Sequence, residues 1–151
     1  MKYTLKRKIY IVISAAALLA VLVTIFYLSA QTAKESSGTS GGLISWLKDV
    51  LHIEFSQDFI RTVAHMCEFA GLGLLVQNME FSLKDKTSPF LCALLSWAYA
   101  WTDEIHQIFV DGRAFQLSDL FVDLAGIILG VAAFNIVYTL IKTKKKKSVS
   151  P

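Results

Sequence analysis

Three short runs hold side chains able to move protons or grip ions. They are Arg61-x-x-x-His65-x-x-Glu68, Asp103-Glu104-x-His106-Gln107 and Asp119-x-x-x-Asp123, with Asp111 and Arg113 between the last two. Residues three or four apart share a helix face, so His65 with Glu68, Asp103 with Gln107, and Asp119 with Asp123 each predict one polar stripe. Glu104 lies about 100° from Asp103 around a helix, which predicts that one of the two turns aside to Arg113 or Arg61. The chemistry these types offer is acid–base and ion binding. Glu68, Asp103, Glu104 and Asp119 are the candidate catalytic carboxylates, and His65 is a ligand or proton shuttle. Gln107 is an orienting hydrogen-bond group, Arg113 an anchor for an anion, and Asp123 completes the binding set.

Glu68, Asp103, Glu104, Asp111, Asp119 and Asp123 are six acids against two arginines, Arg61 and Arg113. An acidic pocket of this kind needs a bound cation, protonated carboxyls or water. A divalent metal on His65, Glu68, Asp103 and Asp119 is one expectation, zinc where the imidazole leads and magnesium or calcium where carboxylates act alone. Acid–base or binding chemistry on a lipid headgroup is a second. A third is a structural network of mutually satisfied ion pairs. The sequence contains no Gly-rich phosphate loop and no nucleophile elbow, so whether the chain is an enzyme stays open. An enzyme tolerates almost no change at one or two of the acids, whereas a binder shows graded losses over many positions.

The elements that position these groups are set by an unusual composition. The chain has 151 residues, 54% of them hydrophobic and only 18% charged, with a mean hydropathy of +0.51. Soluble domains carry about 25% charged residues, so the expected class is an all-α membrane protein. Ile9 to Ala30 runs through 22 residues without a charge, enough to cross about 30 Å of hydrocarbon as a helix. That run exceeds the 7–15 residues usual in a signal peptide, and it is expected to remain as an anchor. Weaker spans follow at 59–81, 89–110 and 118–141, each interrupted by ionisable residues, which cost about 2.5–3.5 kcal/mol apiece within a span and so mark function or internal pairing. Pro89 suits a first helical position, and Asp111-Gly112-Arg113 separates the last two spans. The expected architecture is a four-helix bundle over residues 9–141, between a basic segment 1–8 and a basic tail 142–151.

Eleven of the fifteen lysines and arginines fall in the N-terminus, at Lys84 and Lys86, and in the tail. With four spans these segments share one side, which the positive-inside rule makes cytoplasmic; the tail reads as a topological signal on anionic lipid, with no nucleic-acid partner. The acids and His65 then lie together in the outer half of the plasma membrane, while Gly71 to Val76 and Leu91 to Trp97 give the inner half too few polar groups for a transport route. The outer connection 31–58 opens on Ser36 to Gly42, a flexible-looking stretch. Leu43, Trp46, Leu47, Val50, Leu51 and Phe55 then recur at helical spacing, predicting a short amphipathic helix on the outer face. Cys67 and Cys92 differ in depth by more than a disulfide spans, so two free thiols are expected, Cys67 as a small packing residue. Gly126-x-x-x-Gly130 allows close backbone approach, within the bundle or through a homo-oligomer.

Four motifs in order resemble the VanZ-like family: Phe26-Tyr27-Leu28-Ser29-Ala30-Gln31, Arg61-x-x-x-His65-x-x-Glu68, Asp103-Glu104-x-His106-Gln107 with Gly112-Arg113, and Asp119-x-x-x-Asp123-x-x-Gly126-x-x-x-Gly130. The likeness covers roughly residues 9 to 140. Phe69 replaces an expected tyrosine, and Ala30 an expected serine. The resemblance implies a multi-pass bacterial membrane protein of a family associated with low-level teicoplanin resistance. Its implied partners are a membrane lipid and a cell-wall precursor or glycopeptide-related ligand.

Overall fold

The computed structural model describes residues 3–52 and 56–147. Within them the chain forms five helices: α1 (Leu5–Ser29), α2 (Ala33–Leu51), α3 (Gln57–Lys84), α4 (Pro89–Gln107) and α5 (Leu117–Lys147). Among the described residues, three helices are long and apolar enough to cross a membrane: Leu5–Ser29, Gln57–Lys84 and Leu117–Lys144. The fourth expected span, α4, is shorter and carries Asp103 and Glu104 in its final turns. It packs beside the other three, against α5, α3 and α1.

The helix ends follow local chemistry. Thr4 and Ser56 accept the Arg7 and Phe59 amides as N-caps of α1 and α3. Pro89 opens α4 as expected, without a side-chain cap of its own. A side chain from α3 supplies the acceptor: Glu80 Oε2 takes the Ser88 amide at 2.6 Å and the Cys92 thiol at 3.3 Å. Residues 36–42, expected to be flexible, lie inside α2, which starts at Ala33. The reason is a capping box just upstream. Thr32 Oγ1 accepts the Glu35 amide at 3.3 Å, while the Glu35 carboxylate accepts the Thr32 amide at 2.9 Å and hydroxyl at 2.8 Å. Of the predicted amphipathic face, Trp46 and Val50 are exposed, the side chains of Leu43, Leu47 and Leu51 lie outside the described set, and so does Phe55.

The tightest contact is between α3 and α5. A Cβ on Gly126 or Gly130 would overlap the backbone oxygens of Met66 and Ala70, and one on Gly73 would lie 2.7 Å from the Ile127 oxygen. The two backbones therefore touch, as small-xxx-small seams permit. Gly126 and Gly130 thus serve a contact within the chain. Beside the seam, Phe69, Leu72, Ala100, Ile127 and Val131 form the apolar core with Ile25 of α1. At the end carrying the termini, α1 is tied to α3 by Tyr3 Oη to Leu83 O (3.1 Å), Arg7 Nε to Ser82 O (3.1 Å) and the Arg7–Asp85 ion pair. Cys67 and Cys92 are both free thiols, and Cys67 is exposed on the bundle's flank, not packed within it.

Gly130→Ala forces a methyl group into the Ala70 carbonyl, whereas Gly71 has open space around the same addition. The first substitution is expected to destabilise the full chain by about 1–3 kcal/mol, and Gly71→Ala to leave it unchanged or raise it by about 0.5–1 kcal/mol. Thermal unfolding in detergent checks this, and equal melting of the two variants would contradict a tight seam.

Candidate functional site

The polar runs converge at the bundle end opposite the termini. His65 on α3 faces Asp123 on α5, with Nδ1 and Oδ1 3.2 Å apart. Asp123 lies four positions after Asp119 and three before Gly126, so the glycine seam fixes how closely its carboxylate meets α3. Glu104 joins from α4: ligand-type atoms of His65, Glu104 and Asp123 all lie within 4.8 Å of one another, and all three residues are buried. Each of the two acids is only partly satisfied. Glu104 Oε2 accepts the Gln116 amide at 2.9 Å, but Glu104 Oε1 and Asp123 Oδ2 are buried without a partner. A buried carboxylate oxygen with nothing to accept is costly, because neither water nor a donor replaces its hydration.

Both Asp103 and Glu104 are buried, against the expectation that one would turn to an arginine. Among the described residues neither forms an ion pair with Arg61 or Arg113. The cause is the connection after α4, which folds back so that Gln116 meets Glu104 on one flank while Asp103 keeps to the other. Asp103 accepts from Gln107 Nε2 at 3.2 Å, and Gln107 Oε1 accepts from Arg113 Nη1 at 3.5 Å. Gln107 thus bridges acid and cation.

Arg113 sits just past Gly112, whose φ of +74° is a left-handed turn that favours glycine. A Cβ there would also press on Ala33 at 3.0 Å. The turn sends the guanidinium back to the end of α1, where Nε donates to Gln31 O at 3.0 Å and Nη2 to Leu28 O at 3.4 Å. Burial, with the nearby Arg61 guanidinium, holds Arg113 below the ordinary arginine range. Arg61 lies 3.8 Å from Asp119 and donates to the Gln116 side chain at 3.4 Å.

A cavity of about 190 Å³ opens on this cluster, with Ser29, Arg61, His65, Glu68, Asp103 and Arg113 on its wall. A second of about 200 Å³ adjoins it beneath α2 and shares Ser36, Arg61 and Arg113. Of the predicted site residues, His65, Glu68, Asp103 and Arg113 therefore meet at one cavity. Glu104 and Asp123 are not on its wall, nor is Asp119, which meets Arg61. The predicted metal set of His65, Glu68, Asp103 and Asp119 is not the one the helices bring within ligand distance; His65, Glu104 and Asp123 are. Asp111 is exposed outside the cluster and contributes only its backbone oxygen, to Ala33 N at 3.3 Å. His106 stacks on Phe26 with ring centres 4.8 Å apart, facing α1 instead.

Sequence reasoning missed Gln116, which serves Glu104 through its backbone and Arg61 through its side chain. As a lone glutamine between spans it gave no signal. It also missed polar groups nearer the termini. Gln77 is wholly buried with both amide atoms unpartnered, Ser96 is buried, and Asn78 bonds Ser14 at 2.9 Å as well as Tyr10.

A family model described as VanZ/LLP1 matches residues 14–138. The chain belongs to that family. The matched stretch runs from within α1 to within α5 and contains every residue of the cluster, so the VanZ/LLP1 assignment and the site concern the same part of the molecule. No match is found among curated proteins or solved structures.

Arg113→Gln removes the donors to Leu28 O and Gln31 O and is expected to cost about 1–2 kcal/mol, the lower part of the penalty for unsatisfied acceptors because both are only partly buried. Arg113→Lys keeps the charge but not the fork and should recover only part. Melting temperatures, with amide exchange over residues 29–33, check the pair; a lysine variant as stable and protected as the parent would contradict the forked contact.

Proposed function

We propose that this VanZ/LLP1 protein is a four-span plasma-membrane protein whose cavity opens outside the cell and takes the phosphate-bearing headgroup of an envelope lipid, binding or modifying it. Through that lipid it contributes to glycopeptide resistance. Support for α4 as a fourth span comes from its two faces: Phe90, Leu91, Leu94, Leu95 and Ile105 are exposed, while Asp103, Glu104 and Gln107 are buried. An apolar outside around a polar inside suits a helix with lipid on one flank. Support for sidedness comes from the basic residues, which crowd at the termini end as Lys6, Arg7, Lys8, Lys84, Lys86, Lys142 and Lys144.

The observation that carries the headgroup reading is the pair Arg61 and Arg113 on the wall of both adjoining cavities. Two guanidiniums that raise each other's energy favour an anion between them, and each has N–H groups beyond those used internally. Phosphate accepts such forked donors better than any other headgroup chemistry. Size separates the two ligand classes expected from sequence. Sites for drug-sized molecules span about 300–1,000 Å³, so a cavity of about 190 Å³ suits a headgroup and not a whole glycopeptide. The proposal includes termini in the cytoplasm and a cell-wall precursor as the lipid.

A purely structural ion-pair network draws support from the His65–Asp123 and Arg61–Asp119 pairs. It leaves Glu104 Oε1 and Asp123 Oδ2 over, which a finished network would not.

Full-length protein in nanodiscs is expected to retain a polyprenyl phosphate in preference to phosphatidylcholine. Arg61→Gln should weaken that retention at least tenfold, as loss of a charge-assisted bond of about 1.5–3 kcal/mol implies. Teicoplanin susceptibility of expressing cells should rise in parallel. Equal retention of the two lipids by parent and variant would contradict the reading.

A further inference from the structure

Behind the cavity, one imidazole and two carboxylates from three different helices crowd together without a cation to balance them. His65 is 9% exposed, and Glu104 and Asp123 are wholly buried. A protonated His65 answers one carboxylate, through Asp123 Oδ1. It does not answer the other, and one oxygen of each acid stays without a donor. Asp103, Glu68 and Asp119 stand nearby on α4, α3 and α5 and add negative charge, whereas Arg113 and Arg61 are engaged with Leu28, Gln31, Gln107, Gln116 and Asp119. A proton shared between the two carboxyls is the competing answer, and it leaves the imidazole outside the arrangement. A dication satisfies both.

We propose that His65, Glu104 and Asp123 form a binding site for a divalent transition-metal cation, zinc or manganese, at the floor of the cavity. The donor set selects that class. Imidazole favours zinc and its first-row neighbours, carboxylates favour harder ions, and one of the first with two of the second fits zinc or manganese better than magnesium, which prefers all-oxygen shells and keeps its waters. The geometry is close to what an ion needs. Ligand atoms about 2.0–2.2 Å from a metal lie about 3.4 Å from one another in a tetrahedron, and here they lie within 4.8 Å before any ion draws them in. Three protein ligands leave a coordination position open, as in sites that bind a substrate oxygen. His65 also lines the cavity beside Arg113, so the open position faces the space assigned above to a phosphate; that last step rests on the headgroup reading, while the metal site itself does not.

The test separates the two. Full-length protein purified in detergent, stripped with a chelator and re-equilibrated in the absence of lipid, is titrated with Zn²⁺, Mn²⁺ and Mg²⁺ against a chromophoric chelator, with bound metal counted by mass spectrometry. About one Zn²⁺ or Mn²⁺ per chain is expected, with a rise in melting temperature and no response to Mg²⁺. Glu104→Gln and Asp123→Asn should each weaken binding by about 100-fold or more, and Asp85→Asn, at the opposite end of the bundle, should leave it unchanged. Should either ligand variant fail to fold, His65→Gln and the parent titration still decide the matter. A parent protein that retains no Zn²⁺ or Mn²⁺, retains only Mg²⁺, or binds as tightly after Glu104→Gln and Asp123→Asn overturns the site. Loss of lipid retention with metal binding intact would count against the headgroup reading alone.

Discussion

Backbone contact between α3 and α5 is the constraint from which the rest of the molecule follows. Inside a membrane, apolar side chains gain nothing by leaving lipid for one another, so helices associate through close packing and hydrogen bonds. Gly73, Gly126 and Gly130 supply the first. Once the two helices touch there, Asp123 has no room to avoid His65, and the 3.2 Å contact between them is a result of the seam as much as of their mutual attraction. Glu104 is brought against the same pair by α4, which packs on both seam helices. A cluster that would be costly to assemble from separate helices is thereby held by contacts elsewhere.

The two ends of the bundle solve different problems. At the termini end, Arg7 pairs with Asp85, Tyr3 and Arg7 donate to backbone carbonyls of α3, Asn78 bonds the Ser14 and Tyr10 side chains, and Glu80 caps α4 from a neighbouring helix. At the opposite end the connection 108–116 folds inward, carrying Arg113 to α1 and Gln116 to Glu104. That fold positions two guanidiniums over buried carboxylates and leaves two oxygens unsatisfied. What separates the two ends is the placement of the unpartnered atoms: carboxylate oxygens of Glu104 and Asp123 at the site, the Gln77 amide and Arg7 Nη2 toward the termini.

Much of this was legible in residue order, and the limits of legibility have a physical cause. Spacing of three and four correctly grouped His65 with the α3 stripe and Asp103 with Gln107, because those pairs depend on one helix alone. Pro89 and the glycine spacing likewise announced a helix start and a close approach. Which acid meets His65 depends on the rotation of one helix against another, and spacing within a helix carries no information about that. So Asp123 and Glu104, not Glu68 and Asp119, complete the group. The Ser/Gly stretch before Trp46 looked flexible by composition, yet the Thr32–Glu35 capping box starts a helix ahead of it. Gln77 and Glu80 escaped notice because isolated polar residues near a span end carry no pattern.

In this VanZ/LLP1 protein a glycine seam, a buried group of acids and imidazole, and a cavity walled by two arginines stand together at one end of the bundle, and the proposed function puts that end outside the cell. Water must reach that cavity from outside for any of this to operate. Ala64 lies on its wall, on α3 one residue from His65. The most direct measurement is labelling of an Ala64→Cys variant, in a Cys67→Ser background, by a membrane-impermeant maleimide applied to intact cells. The account predicts labelling without permeabilisation; labelling that appears only after the membrane is opened, or not at all, would contradict it.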